Sequence, residues 1–61
     1  MTDINSPKPE EIRAAREAAG ITQTEAAAVL HTSCRAFQQW EHGDRKMHPA
    51  FWELFRLKTG S

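Results

Sequence analysis

The pattern of apolar and polar positions in the middle of the chain predicts a short helix that begins at Thr22 and ends near Leu30. The Thr22 hydroxyl can accept a backbone N–H, and Glu25, three residues later, can reach back to complete a capping box. Small and aliphatic residues at 26–30 then supply the apolar face of this helix. The capping box and the apolar run that follows it therefore predict one helix over this segment.

A second short helix follows after a tight turn. It begins around Thr32 and Ser33 and places Phe37 and Trp40, three residues apart, on one face. It ends at Gly43, because glycine is the residue best suited to a left-handed C-terminal cap. The chain between the two helices is so short that they must be neighbours in space.

One further helix is predicted on each side of this pair. The first spans about Pro9–Ala19 and the last about Pro49–Lys58. Each begins with a proline, which is tolerated in the first turn because its missing N–H has no partner there. Residues 1–8 are polar and predict a flexible lead. The chain therefore divides into this lead and one all-helical domain over residues 9–61.

The last helix carries more large apolar side chains than one face can bury. They lie within residues 51–57 and are Phe51, Trp52, Leu54, Phe55 and Leu57. We expect Phe51, Leu54 and either Phe55 or Leu57 to pack on the core. Trp52 and one more apolar side chain then stay near the surface, which predicts a dimer interface made by Trp52, Phe55 and Arg56. The alternative is a helix that rolls to cover a small core.

Composition excludes several classes of function for these 61 residues of zero formal net charge. The one cysteine excludes an internal disulfide, and Cys34 and the three histidines have no metal-binding spacing. No phosphate-binding loop or catalytic constellation is present, so we expect no enzyme, no cofactor and no metal. No apolar run is long enough to cross a membrane, and the N-terminus does not resemble a signal peptide. An intracellular, cytoplasmic protein is expected.

Several residues at fixed spacing match a known family. They are Gln23 in the first turn of the second helix, Ala26 and Ala27, Leu30 before the turn, the run from Trp40 to Gly43, Arg16 and Gly20 upstream, and Arg45 and Lys46 downstream. In these residues the chain resembles the helix-turn-helix family of phage repressors and Cro-like proteins, over about residues 10–57. The resemblance implies an all-α domain of four to five short helices, with the third helix in the major groove of DNA.

The resemblance also implies which residues touch the bases. Base-contacting positions of the family fall on Cys34, Arg35 and Gln39, and Gln38 lies beside them on the exposed face of the third helix. Arginine can bind guanine, and glutamine can bind adenine, with two hydrogen bonds each. The Cys34 thiol is a poor donor, so it either contacts a thymine methyl group or only packs.

Phosphate contacts are expected from two groups of residues. Gln23 and Ser33 lie at helix N-termini, where backbone N–H groups and the helix dipole favour an anion. Arg45 and Lys46 add positive charge in the loop that follows the third helix. Because the whole chain is neutral, we expect modest non-specific affinity, with specificity resting on base contacts and dimerisation.

Arg16 interrupts the apolar face of the first helix, which also carries Ile12, Ala15 and Ala19. A buried arginine needs an acidic partner, whereas an arginine at the edge of the face can extend its guanidinium into water. The residue pattern alone favours neither interpretation. The resemblance implies the first, because the corresponding arginine of the family pairs with a glutamate near the end of the recognition helix, here Glu41. The implied role is structural.

Together these features imply a sequence-specific, double-stranded DNA-binding regulator of transcription. We expect a homodimeric repressor of a phage or mobile-element operon that controls its own expression and binds an inverted-repeat operator. No membrane and no small-molecule effector are expected as partners. The alternative is a protein-interaction module with the same fold, such as an antitoxin subunit or an adaptor.

Overall fold

The computed structural model describes residues 6–60, and this part of the chain forms four α-helices and no strand. They are α1 (Pro9–Ala19), α2 (Gln23–Val29), α3 (Cys34–His42) and α4 (Pro49–Thr59). The predicted all-α class is confirmed, and the helix bounds agree closely with those expected. Most of the predicted lead, residues 1–5, lies outside the described residues.

Local capping explains where the two central helices begin. The backbone N–H of Glu25 donates to the Thr22 hydroxyl at 3.1 Å, and the backbone N–H of Thr22 donates to the Glu25 carboxylate at 2.9 Å. This reciprocal pair is the predicted capping box. The Ser33 hydroxyl accepts from the backbone N–H of Ala36 at 3.1 Å and so caps α3. Both helix starts are therefore encoded within a few residues of sequence.

A residue in left-handed backbone conformation lies on each side of α3. His31 has φ of 57° in the joint that follows α2, and Gly43 has φ of 81° at the end of α3. Histidine adopts this conformation more readily than bulky or branched residues do. A Cβ at Gly43 would lie 3.4 Å from Cγ of Pro9, an ordinary van der Waals distance. The positive φ is therefore what favours glycine at this position.

The core lies between the four helices and contains side chains from every one of them. Its buried apolar members are Ile12, Ala26, Ala27, Leu30, Phe37, Trp40, Met47 and Phe55. The Phe37 ring lies at its centre, with ring centroids 5.8 Å from those of both Trp40 and Phe55. Met47 is fully buried although it belongs to the loop before α4, which the sequence presents as polar. The loop is therefore anchored in the core.

The predicted interface on α4 is wrong for Phe55. This ring is fully buried against Phe37, and Trp52 is half-buried against the same core. The reason is the roll of the helix, which turns the side of Phe55 inward and leaves Phe51 at 37% and Leu57 at 75% exposure. Arg56 remains exposed, as predicted, with its guanidinium carbon 5.7 Å from the centre of the Trp52 ring.

The four helices are short. None of those formed by residues 6–60 has the length and apolar character that crossing a lipid bilayer requires.

Candidate nucleic-acid interface

A buried carboxylate fixes α3 against the two helices that precede it. The Glu41 side chain is 1% exposed and lies 2.6 Å from Arg16, between carboxylate Oε2 and guanidinium Nε. Its other oxygen accepts from Nη2 of Arg16 at 3.4 Å and from Nε2 of Gln23 at 2.9 Å. The predicted pair of Arg16 and Glu41 is present. It joins α1 to α3, and Gln23 adds α2 to the same network.

The network is charged and fully hydrogen-bonded. Burial alone would raise the pKa of Glu41, but the hydrogen bonds from Arg16 and Gln23, with the charges of Arg16 and Arg13, outweigh it and lower that pKa. The hydrogen bond to Glu41 in turn raises the pKa of Arg16. Arg16 also donates from Nη1 to the carbonyl oxygen of Ile21 at 3.0 Å, which fixes the loop before α2. Both groups therefore stay ionised at neutral pH.

Gln23 has a contact that its predicted role did not include. Its side-chain amide donates to Glu41, and so it takes part in the network that holds α3. The predicted phosphate contact of this residue therefore competes with an existing hydrogen bond. Thr22 and Thr24, on either side of Gln23, are exposed, and the backbone N–H of Glu25 is already bonded to the Thr22 hydroxyl.

The outer side of α3 presents polar side chains. Phe37 and Trp40 point into the core, as predicted, whereas Arg35 and Gln38 are exposed and Gln39 is half-buried. A shallow, open depression, called here the reading depression, is lined by Arg35, Gln38, Gln39, His42 and Asp44. Three of the four predicted base-contacting residues therefore share one surface.

Two members of the reading depression, His42 and Asp44, are not among the predicted site residues. Helical spacing contains the signal for His42, which lies three and four residues after Gln39 and Gln38 and so falls on the same side of α3. Asp44 lies beyond the helix, where no periodicity applies. The depression thus extends beyond the predicted base-contacting residues and includes one acidic side chain.

Cys34 is half-buried and does not line the reading depression, although it contacts Gln38, which does. Its sulfur accepts from the Thr24 hydroxyl at 3.5 Å and from the Gln38 amide at 3.7 Å. The thiol therefore contacts side chains of both α2 and α3. The same contact orients the Gln38 side chain on the exposed face.

Positive charge collects at the far end of α3. Arg45 and Lys46 are exposed and line one groove together with Lys8, which precedes α1. Trp40 and the prolines at 7, 9 and 49 contribute to the walls of this basic groove. Lys8 belongs to the predicted lead, and its position in the sequence does not indicate that it approaches the loop after α3. The fourth predicted phosphate contact, Ser33, lies at the opposite end of α3.

Comparison with known proteins shows similarity to part of a longer protein. No protein-family model matches this chain. The chain is 35% identical over 51 residues to the Type II methyltransferase M.MspI of Moraxella sp. The match covers 84% of this chain but 12% of that relative, so the similarity concerns a small part of a much longer protein.

Proposed function

We propose that this chain is a sequence-specific, double-stranded DNA-binding regulator of transcription that places α3 in the major groove. The observation that carries the proposal is the reading depression, where Arg35, Gln38 and Gln39 meet on the outer side of a short, capped helix. These side chains are the types that form paired hydrogen bonds with guanine and adenine edges. An isolated helix of this size and polarity fits the width of the groove.

The surroundings of α3 support the same role. The Glu41 network holds the helix from its inner side, so its outer side needs no protein partner to be ordered. The basic groove of Lys8, Arg45 and Lys46 lies at the end of the helix, where a sugar–phosphate backbone would pass. Phosphate contacts of this kind set position and affinity, while base contacts set sequence preference.

We further propose a homodimeric repressor acting in the cytoplasm on a phage or mobile-element operon, including its own gene. The resemblance to phage repressors supports this part of the proposal. Two copies related by a two-fold axis, each with α3 in one of two successive major grooves, would occupy half-sites about 34 Å, or 10–10.5 base pairs, apart.

The similarity to a methyltransferase fits a binding role better than a catalytic one. Methyl transfer requires a site that encloses both the methyl donor and the reacting group. The reading depression is an open surface. We propose that this chain binds a macromolecule and is not an enzyme.

Selection of binding sites from random duplexes tests the proposal directly. The expected result is an enriched inverted repeat. In Arg35→Ala, affinity for the selected duplex should fall by about 1–3 kcal/mol and preference should relax at one base position, because a bidentate base contact is lost. No enrichment above the starting pool would contradict sequence-specific binding.

Lys46→Ala is the matched test of phosphate contact. It should weaken binding to selected and random duplexes alike and reduce the slope of affinity against salt concentration by about one. Equal behaviour of Arg35→Ala and Lys46→Ala in this comparison would mean that Arg35 contacts phosphate instead of a base.

A protein-interaction module is the second candidate. The exposed Phe51 and Leu57 side chains on α4 favour it, because apolar groups of this size are covered in many complexes. Light scattering and duplex binding separate the two functions. A chain that never binds DNA and stays monomeric alone would favour an adaptor or antitoxin subunit.

A further inference from the structure

The outward side of α4 presents an apolar stripe. Its members are Ala50, Leu54 and Leu57, spaced four and then three residues apart. At 3.6 residues per turn they fall within about 60° of one another around the helix. Ala50 is exposed, Leu57 is 75% exposed and Leu54 is half-buried at the edge of the core. The fully buried Phe55 lies about 100° further around the helix than Leu54. Leu54 packs against the core at one edge of the stripe, and Leu57 lies on the side of the stripe away from the core.

Opposite charges flank this stripe. Glu53 lies on one side of it and Lys58 on the other, and both are exposed. Spacings of four and three with charged neighbours are those of a coiled-coil seam, in which Ala50, Leu54 and Leu57 take the two core positions. Glu53 and Lys58 then take the two flanking positions that form ion pairs between helices.

We propose that the stripe binds the α4 helix of a second copy of this chain, with the two helices packed side by side and parallel. The inference specifies the surface of the proposed homodimer, and in that sense it rests on the proposed function. In a parallel pair each flank faces the opposite flank of the other helix. Glu53 of each copy therefore lies near Lys58 of the other, five residues further along, and the pair forms twice.

The charge pattern selects the parallel arrangement. In an antiparallel pair, a two-fold axis places each flank against the same flank of the other helix. Glu53 of one copy would then face Glu53 of the other, and two carboxylates at one contact repel. Lys58 can serve in the parallel pair because its ammonium has three N–H donors, and the contact at 3.3 Å to the carbonyl oxygen of Val29 uses one of them.

Sedimentation equilibrium of the full chain, up to its solubility limit, tests the surface. Leu57→Lys should abolish self-association while the helical circular dichroism stays that of the parent, because the leucine is mostly exposed. Glu53→Lys and Lys58→Glu should each weaken self-association by about tenfold, since two exposed pairs per dimer become repulsive. The double reversal Glu53→Lys, Lys58→Glu should restore it to within about threefold of the parent. Glu10→Lys makes the same charge change on α1 and should have no effect.

Several outcomes would overturn the inference. These are a parent chain that is monomeric at every concentration, a Leu57→Lys variant that still dimerises, or a double reversal that is no better than its single variants. Binding of the same proteins to the selected duplex separates this failure from failure of the proposed function. A monomer that still binds one half-site specifically leaves the DNA-binding role intact, whereas a charge-dependent dimer that binds no specific duplex supports the surface alone.

Discussion

Charged side chains usually lie at the surface of a protein and large apolar side chains inside it. The Glu41 network and the outward side of α4 are opposite exceptions to this rule. At Glu41 a charged group lies inside the domain, with every buried side-chain oxygen and nitrogen of residues 6–60 hydrogen-bonded. On α4 a leucine lies outside, three-quarters exposed. The first arrangement satisfies polar groups that burial would otherwise penalise. The second leaves apolar surface uncovered, and this is the surface that we propose binds a second copy of the chain.

Phe55, which is fully buried, and Leu57, which is mostly exposed, give the largest expected contrast within α4. Phe55→Ala should lower the free energy of unfolding by about 3–5 kcal/mol, because it leaves a cavity beside Phe37. Leu57→Ala should change it by less than about 0.5 kcal/mol in the monomer, since its side chain is mostly exposed. Urea denaturation at low protein concentration measures both. Similar losses in the two variants would show that Leu57 also contributes to the core.

Loss of the buried carboxylate should have the next largest effect. Glu41→Ala should lower the free energy of unfolding by about 3 kcal/mol, because it leaves Arg16 without its acidic partner inside the domain. Replacement of both residues, as Arg16→Met with Glu41→Leu, should be milder than the single change because no charge is left unpaired.

Thermal unfolding followed by circular dichroism measures these variants of the network. Glu10→Ala is the control, because it deletes a solvent-exposed carboxylate of α1. It should change the free energy of unfolding only slightly. If Glu41→Ala unfolds at the temperature of the parent, the network does not hold α3 and the contrast with α4 disappears.

Much of this organisation follows from local sequence, and the exceptions have a common cause. The capping pairs at Thr22 and Ser33 involve residues three apart, so the sequence specifies them directly. The burial of Met47 and the roll of α4 onto Phe55 depend on the shape of the core formed by distant residues. A single methionine in a loop belongs to no periodic pattern, so the sequence does not predict its burial. A helix with apolar residues around much of its circumference does not reveal in its sequence which of them face the core.

The candidate site divides in the same way. Arg35, Gln38 and Gln39 could be placed together by helical spacing. The approach of Lys8 to Arg45 and Lys46 could not, because it depends on how α1 packs across the end of α3. Gln23 was expected to face DNA, and its contact with Glu41 arises only once α2 and α3 are folded together.

The smallest expected effect is a change in stability with pH. The pKa of Glu41 is lowered in the folded state, so its stabilising contribution is complete above the pKa of an unfolded glutamate, about 4.3. That contribution is lost as pH falls through the lower folded-state pKa. Denaturation at a series of acidic pH values should show this loss in the parent and a flatter profile in Glu41→Gln. Identical profiles would mean that other carboxylates dominate the acid transition.

The contacts of Glu41 with both α1 and α2 also bear on the thermodynamics of recognition. A helix held at its inner side by three other side chains has its backbone already ordered before any ligand arrives. Association then involves little coupled folding, and the heat-capacity change on binding should reflect only the surface that becomes buried between the two molecules. Calorimetric titration with a duplex at several temperatures would therefore resemble the docking of two rigid bodies.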